Sequence, residues 1–116
     1  MPKSMESLIN QAKKSGRISG RCMYTIRRSK DFEIAVKILK RNGAKLSLRK
    51  KLEKTIDILA LGEKLPASFR DHKLQGRLKD FRECHISGDL LLVYKIEKKE
   101  LILILINLGS HSNLFG

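Results

Sequence analysis

The chain has 116 residues, and its 25 Lys and Arg against 12 Asp and Glu give a formal net charge of +13 and an isoelectric point of about 10.1. This length predicts one domain, and an apolar content of 41% with a mean hydropathy of −0.28 excludes a disordered chain. The longest apolar run, Leu101–Ile106, is too short for a membrane-spanning helix, which needs about 17 to 25 residues. The excess positive charge indicates a polyanionic partner, which is nucleic acid, an anionic membrane surface or an acidic protein.

Residues 1–22 are polar and basic, with five Lys and Arg against one Glu (5 − 1 = +4) and a weak helical pattern around Met5–Lys13. They lack the apolar stretch of a secretory signal, so we expect a cytoplasmic protein with a basic N-terminal extension, 1–22, and a folded domain, 23–116. Cys22 and Cys84 lack metal-ligand spacing, and we expect both to be free thiols in a reducing compartment.

The first half of the domain combines one strand with two helices. A short β-prone run, Met23–Ile26, opens it. Apolar residues then recur with helical spacing over Asp31–Arg41, and Gly43 supplies a left-handed end. A second apolar stripe covers Ser47–Leu61, with Ser47 as the predicted N-cap and Gly62 as the C-terminal breaker.

The second half changes to short strands. Three apolar runs predict strands over Phe81–Ile86, Leu90–Ile96 and Leu101–Leu108. Their connections are short and polar, which predicts an antiparallel meander, and the last two runs are apolar enough to be central strands covered on both faces. The predicted class is α+β: an N-terminal strand, two helices, then the meander, in one sheet with the helices packed on it.

All three histidines, His72, His85 and His111, lie where predicted strands begin or end or in the adjoining loops. Such positions are exposed yet held by a rigid scaffold, and histidine titrates near neutral pH. Structural zinc ligands come in closely spaced pairs, so the wide spacing of these histidines argues against a zinc site. Cys84 and His85 are strand neighbours that point to opposite faces, which argues against a cysteine nucleophile with its base.

Cleavage of RNA by its own 2′-hydroxyl fits these residues. It needs a base, an acid and cations around the phosphorus, and histidines and an aspartate among Lys and Arg supply all three. Arg82 is a natural phosphate clamp, but regular alternation places it opposite to His85, so either a bulge intervenes or Arg82 has another part. Charge alone also fits a basic DNA- or ribosome-binding protein without catalysis.

Four motifs, in their order and spacing, resemble the YafQ family of bacterial toxins in the RelE/ParE superfamily. They are Arg70–Gly76, Phe81–Ile86, Asp89 ahead of Leu90–Ile96, and Leu108–Phe115. The resemblance extends over about 23–116. Two positions depart from the family pattern: Lys73 replaces the proline of its His-Pro-Leu motif, and Leu90 replaces the tryptophan of its best-known members.

The resemblance implies a RelE-like fold and a metal-independent, cofactor-free endonuclease that cuts mRNA on the ribosome and inhibits translation. It implies His111 as general acid, and His85 or Asp89 as the group that positions or deprotonates the 2′-hydroxyl. It further implies that His72 donates to phosphate and that Phe115 stacks on a base, a contact that tolerates any sequence.

The resemblance also implies partners. These are mRNA with the ribosome, and a small antitoxin whose acidic segment would cover the basic groove, in a toxin–antitoxin complex that we expect to be a higher-order oligomer. No membrane partner is expected. The alternative is a superfamily protein without RNase activity that acts by binding its antitoxin or another target, but three histidines within the motifs favour the nuclease.

Overall fold

The computed structural model describes residues 23–115. The predicted extension, with its helical pattern around Met5–Lys13, lies outside the described residues, as does Cys22. Within residues 23–115, three helices and five strands follow one another, with three-residue 3₁₀ turns at Ala67–Phe69 and Gly76–Leu78. They are β1 Thr25–Arg28, α1 Lys30–Arg41, α2 Leu46–Ala60, β2 His72–Lys73, β3 Arg82–Ser87, β4 Leu90–Glu97, β5 Ile102–Gly109 and α3 His111–Phe115.

The strands form one mixed sheet in the order β1-β5-β4-β3-β2. The last three strands form the predicted antiparallel meander, and β1 pairs with β5 in parallel. Both β4 and β5 are central, as predicted. The two-residue β2 and the five-residue α3 were not predicted, because neither is long enough to show a periodic apolar pattern.

The ends of the two long helices are defined by capping residues. Ser29 caps α1, because its side chain accepts the backbone N–H of Phe32, and Gly43 follows the helix at a φ of +77°. The prediction that Ser47 caps α2 is wrong. Lys45 takes the N-cap position, and its carbonyl accepts the N–H groups of Leu48 and Arg49, so the helix already includes Ser47.

The core lies between the two long helices and one face of the sheet. It combines Phe32 of α1 and the apolar side of α2 with alternate residues of the strands, of which Cys84, Leu92, Tyr94, Leu103 and Leu105 are almost fully buried. The opposite face of the sheet is called the open face below. The expectation of burial on both faces is confirmed for β4, whose residues 91–94 are all buried. It is wrong for β5, where Ile104 on the open face is only half-buried.

No helix within residues 23–115 is long and apolar enough to cross a membrane.

Candidate active site

The register of the strands brings several polar residues to the open face. His72 of β2 lies opposite Glu83 of β3. Two residues further along β3, His85 lies opposite Leu91, which in turn lies opposite Gly109 at the end of β5. Diagonal neighbours in a sheet are about 7 to 8 Å apart, and two strand spacings separate β3 from β5 by about 10 Å. His72, His85 and the start of α3 therefore lie along one side of the sheet, and the three strand spacings from β2 to β5 span about 14 Å.

His72 is held at both ring nitrogens. Its Nδ1 lies 2.7 Å from the carbonyl oxygen of Arg70, which only accepts, so Nδ1 carries a proton. Its Nε2 lies 3.4 Å from Oε1 of Glu83, and the two form an ion pair when the ring is protonated. Half of the His72 side chain is exposed, whereas only 8% of the Glu83 side chain is exposed. The buried carboxylate of Glu83 thus lies beside the accessible imidazole of His72.

His85 and Cys84 lie on opposite faces, as the sequence predicts. His85 is partly exposed on the open face, and Cys84 is fully buried among the core residues. Burial raises the pKa of the Cys84 thiol to about 12, with a smaller contribution from the carboxylates of Asp71 and Glu83. The thiol stays protonated at neutral pH and cannot serve as a nucleophile.

His111 and Phe115 lie one turn apart on α3, and their ring centroids are 5.1 Å apart. Ser110 caps this short helix, because its hydroxyl accepts the N–H of Asn113 at 3.2 Å. The helix rests directly on the end of β5: a Cβ at Gly109 would lie 3.4 Å from the Cβ of Asn113. His111 and Phe115 are both exposed and are presented as a pair.

Asp89 lies in the turn between β3 and β4 and is exposed. It lines a groove with a cavity volume of about 530 Å³ between α1, the end of β5 and α3. Ser110 and Asn113 of the α3 region line the same groove, together with the half-exposed Ile34 and Ile38 of α1. Asp89 thus borders a groove whose lining mixes apolar and polar side chains and, among the described residues, includes no Lys, Arg or His.

Arg82 faces the helices rather than the open face. The irregularity in β3 falls between His85 and Ser87, beyond the segment from Arg82 to His85, so strand alternation separates the two side chains. The Nε of Arg82 donates to Oδ1 of Asp71 at 3.2 Å and to the hydroxyl of Tyr94 at 3.3 Å. The sequence left two possibilities, a bulge between Arg82 and His85 or another part for Arg82. The structure shows no bulge between them, and it shows Arg82 in contact with Asp71 and Tyr94.

Sequence reasoning missed three polar residues that hold the predicted ones: Glu83, Asp71 and Tyr94. Glu83 stands next to Cys84 in a buried strand, where a charged residue is unusual and is expected to be paired. Tyr94 is a phenol within an otherwise apolar run, which is the available signal for a buried hydroxyl that needs a partner. Within residues 23–115, no group of three or more His, Cys, Asp or Glu side chains is placed to hold a metal ion.

Comparison with known proteins identifies relatives of this domain. The family model described as bacterial toxin of type II toxin-antitoxin system, YafQ, matches residues 24–116. The mRNA interferase toxin YafQ of Escherichia coli K12 is 42% identical over 52 residues, which are 45% of this chain and 54% of that protein. The chain thus aligns with about half the length of this curated relative.

Two solved structures cover more of the fold. The metal-bound toxin from Helicobacter pylori is 52% identical, with a TM-score of 0.72 over 80% of this chain and 100% of that one. YafQ in the DinJ-YafQ toxin-antitoxin complex of Escherichia coli is 29% identical, with a TM-score of 0.71 over 81% and 99%. The family model and these structures agree on the α+β fold and its extent, and the chain belongs to the YafQ family of bacterial toxins of type II toxin-antitoxin systems.

Proposed function

We propose that this chain is a ribosome-dependent mRNA endonuclease and the toxin of a type II toxin–antitoxin pair. The observation that carries the proposal is the open face, where His72, His85 and the start of the helix bearing His111 and Phe115 lie along one side of the sheet. The activity printed for the Escherichia coli relative, an mRNA interferase, supports the same reaction class. Histidines around one accessible area supply acid and base for phosphate chemistry.

The proposed reaction is transesterification within the RNA. A base takes the proton of the 2′-hydroxyl, the 2′-oxygen bonds to phosphorus, the bond from phosphorus to the 5′-oxygen breaks, and an acid protonates that oxygen. We assign His111 as the acid. We favour His85 over Asp89 as the base, because His85 lies opposite Leu91, which lies opposite Gly109, two residues before His111. His72 donates to the phosphate, and Phe115, 37% exposed, stacks on a base.

Arg82 stays a predicted RNA contact with a second role. Burial lowers the pKa of its guanidinium, but hydrogen bonds to Tyr94 and Asp71 outweigh that effect and leave the pKa raised. The side chain is 35% exposed, so it keeps its positive charge at the β2 edge of the sheet whether or not it touches a phosphate.

The test is in vitro translation of a reporter mRNA with the purified chain, followed by mapping of the RNA ends. We expect cleavage that leaves a 2′,3′-cyclic phosphate and a 5′-hydroxyl, and that continues with TPEN, a chelator that removes transition metals but leaves Mg²⁺ for the ribosome. Cleavage that stops with TPEN contradicts metal independence, and intact RNA contradicts the nuclease.

His111→Ala is expected to lower the cleavage rate by at least about 100-fold, the usual effect of losing a general acid. Ser112→Ala is the matched control, because Ser112 is an exposed neighbour on the same short helix. Equal losses in both variants would mean that α3 matters only for its fold.

We further propose a small antitoxin partner with an acidic segment, supported by the solved complexes of YafQ with DinJ. Expression of the chain alone is expected to stop growth, and co-expression with the neighbouring reading frame is expected to restore it. Light scattering of the purified complex is expected to give a mass above that of one toxin with one antitoxin. Normal growth with the chain alone contradicts toxicity.

A further inference from the structure

A phenol, a carboxylate and a guanidinium meet at the β2 edge of the sheet, on the face that packs against the helices. The Tyr94 hydroxyl donates to Oδ1 of Asp71 at 2.5 Å, and Arg82 Nε donates to the same oxygen at 3.2 Å. Tyr94 is 1% exposed, and burial, followed by the contact with Asp71, raises the pKa of its phenol, so it remains a proton donor. The carboxylate therefore receives two donors on one oxygen.

Asp71 comes directly before His72, the first residue of β2, and the partners of the two side chains lie on opposite faces of the sheet. Asp71 reaches Arg82 and Tyr94 on the helix side, and His72 lies opposite Glu83 on the open face. A fixed carboxylate at Asp71 therefore helps to hold the backbone from which the His72 side chain extends.

The strand that carries His72 is held by its pairing with β3. β2 has two residues and lies at the edge of the sheet, and a pair of strands this short is not stable by itself. The preceding Arg70 adopts a φ of +50°, a left-handed conformation that is unfavourable for a residue with a side chain. Contacts outside β2 must therefore define its position.

We propose that Asp71, Arg82 and Tyr94 form a positioning network that orients His72 for its role on the open face. Asp71 and Tyr94 act through His72 without touching the substrate, and Arg82 joins them in addition to its predicted contact with RNA. The expected effect on the cleavage rate rests on the proposed nuclease function. The expected effect on the position of the His72 ring does not depend on that function.

The first test follows the His72 ring without any RNA. Tyr94→Phe removes one donor to Asp71 and keeps the aromatic ring in the core. We expect the ¹⁵N resonances of the His72 ring to shift in this variant, while those of His111 stay in place. Tyr24→Phe is the matched control: Tyr24 is the other tyrosine of the chain, is also buried, and lies beside the opposite edge of the sheet.

An unshifted His72 in Tyr94→Phe, or an equal shift in Tyr24→Phe, overturns the proposal. This test stands even if the chain cleaves no RNA, so its result and that of the proposed function are separate.

The second test is a double-mutant cycle on the cleavage rate. Tyr94→Phe alone is expected to lower the rate by about 10- to 100-fold, the effect of misplacing a catalytic group by a fraction of an ångström to 1 Å, with little change in RNA affinity. In a His72→Ala background, the same substitution is expected to cause no further loss, because the group it positions is absent. Losses that multiply show that Tyr94 acts independently of His72 and overturn the positioning role.

Discussion

Cys84 is a thiol that folding moves from water into the core. It is fully buried, and burial raises its pKa from 9.0 to about 12. Above pH 9 the unfolded chain therefore loses the thiol proton while the folded chain keeps it. Because the unfolded state then binds fewer protons than the native state, the free energy of unfolding falls as pH rises.

The predicted result is a loss of about 1 kcal/mol in the free energy of unfolding between pH 8 and pH 10 from this single group. Urea unfolding under reducing conditions measures it in a Cys22→Ser background, where Cys84 is the one remaining thiol. Cys84→Ala lowers the stability at every pH by leaving a cavity but should remove most of the decrease above pH 9. A decrease of the same size in Cys84→Ala would assign it to other groups.

The candidate site shows how far single residues can be predicted. The histidines and Asp89 follow from motifs that lie within short stretches of sequence. Their supports do not: Asp71 meets Arg82 eleven residues away and Tyr94 twenty-three residues away. Such contacts depend on strand register, which the pairing of the whole sheet determines. The sequence pattern alone does not give the register, so it cannot show which polar side chains meet.

At the scale of elements, α1 is joined to the sheet through its N-cap residue, Ser29. The Ser29 hydroxyl accepts the N–H of Phe32 at 3.0 Å and donates to the carbonyl oxygen of Ile106 in β5. The backbone N–H of Ser29 also donates to the carbonyl oxygen of Leu105 at 2.9 Å. One residue thus caps the helix and fixes it at the centre of the sheet.

Ser29→Ala is expected to lower the free energy of unfolding by about 1 to 2 kcal/mol, the loss of an N-cap with its second hydrogen bond. Ser47→Ala is the matched control, because Ser47 is exposed within α2 and does not cap it. Its effect should stay within about 0.5 kcal/mol. Urea unfolding of both variants at pH 7 is the measurement, and similar losses at both serines would contradict the cap assignment.

Predictability from sequence varies with the length of the element. The long helices and the strands of the meander show apolar patterns over two or more periods, and their predicted bounds differ from the observed ones by at most one residue. β2 and α3 have no such pattern, although they carry His72 and His111. These two short elements thus carry two of the three candidate histidines, and tertiary contacts define them: β2 through its pairing with β3, and α3 through its packing on Gly109.

At the scale of the whole molecule, positive charge occurs on both sides of the sheet. Lys50 and Lys54 are exposed on α2, which packs on the face opposite to His72 and His85. Arg77 and Lys79 are exposed in the connection between β2 and β3, beside the strand that carries His72. A helix is about 10 Å across, whereas the Debye length at 0.15 M salt is about 8 Å, so charges on α2 are screened from the open face.

Two double charge-reversal variants distinguish the effect of where the charge lies from the effect of net charge on RNA binding. Arg77→Glu with Lys79→Glu, and Lys50→Glu with Lys54→Glu, each lower the formal charge from +13 to +9 (13 − 4). In a His111→Ala background that binds RNA without cutting it, the first pair is expected to weaken binding of a short single strand at least about 10-fold at 0.15 M KCl. It should also reduce the slope of log K against log salt by about 1.4, the value for two phosphate contacts.

The second pair is expected to change the affinity less than about twofold at 0.15 M KCl and more at 0.02 M, where screening is weaker. Fluorescence anisotropy across this range of salt measures both effects on the same RNA. Equal weakening by the two pairs at 0.15 M would mean that net charge alone attracts the RNA, and the open face would then have no special part in binding it. A larger effect from the α2 pair would place the RNA on the helix side of the sheet, away from all three histidines.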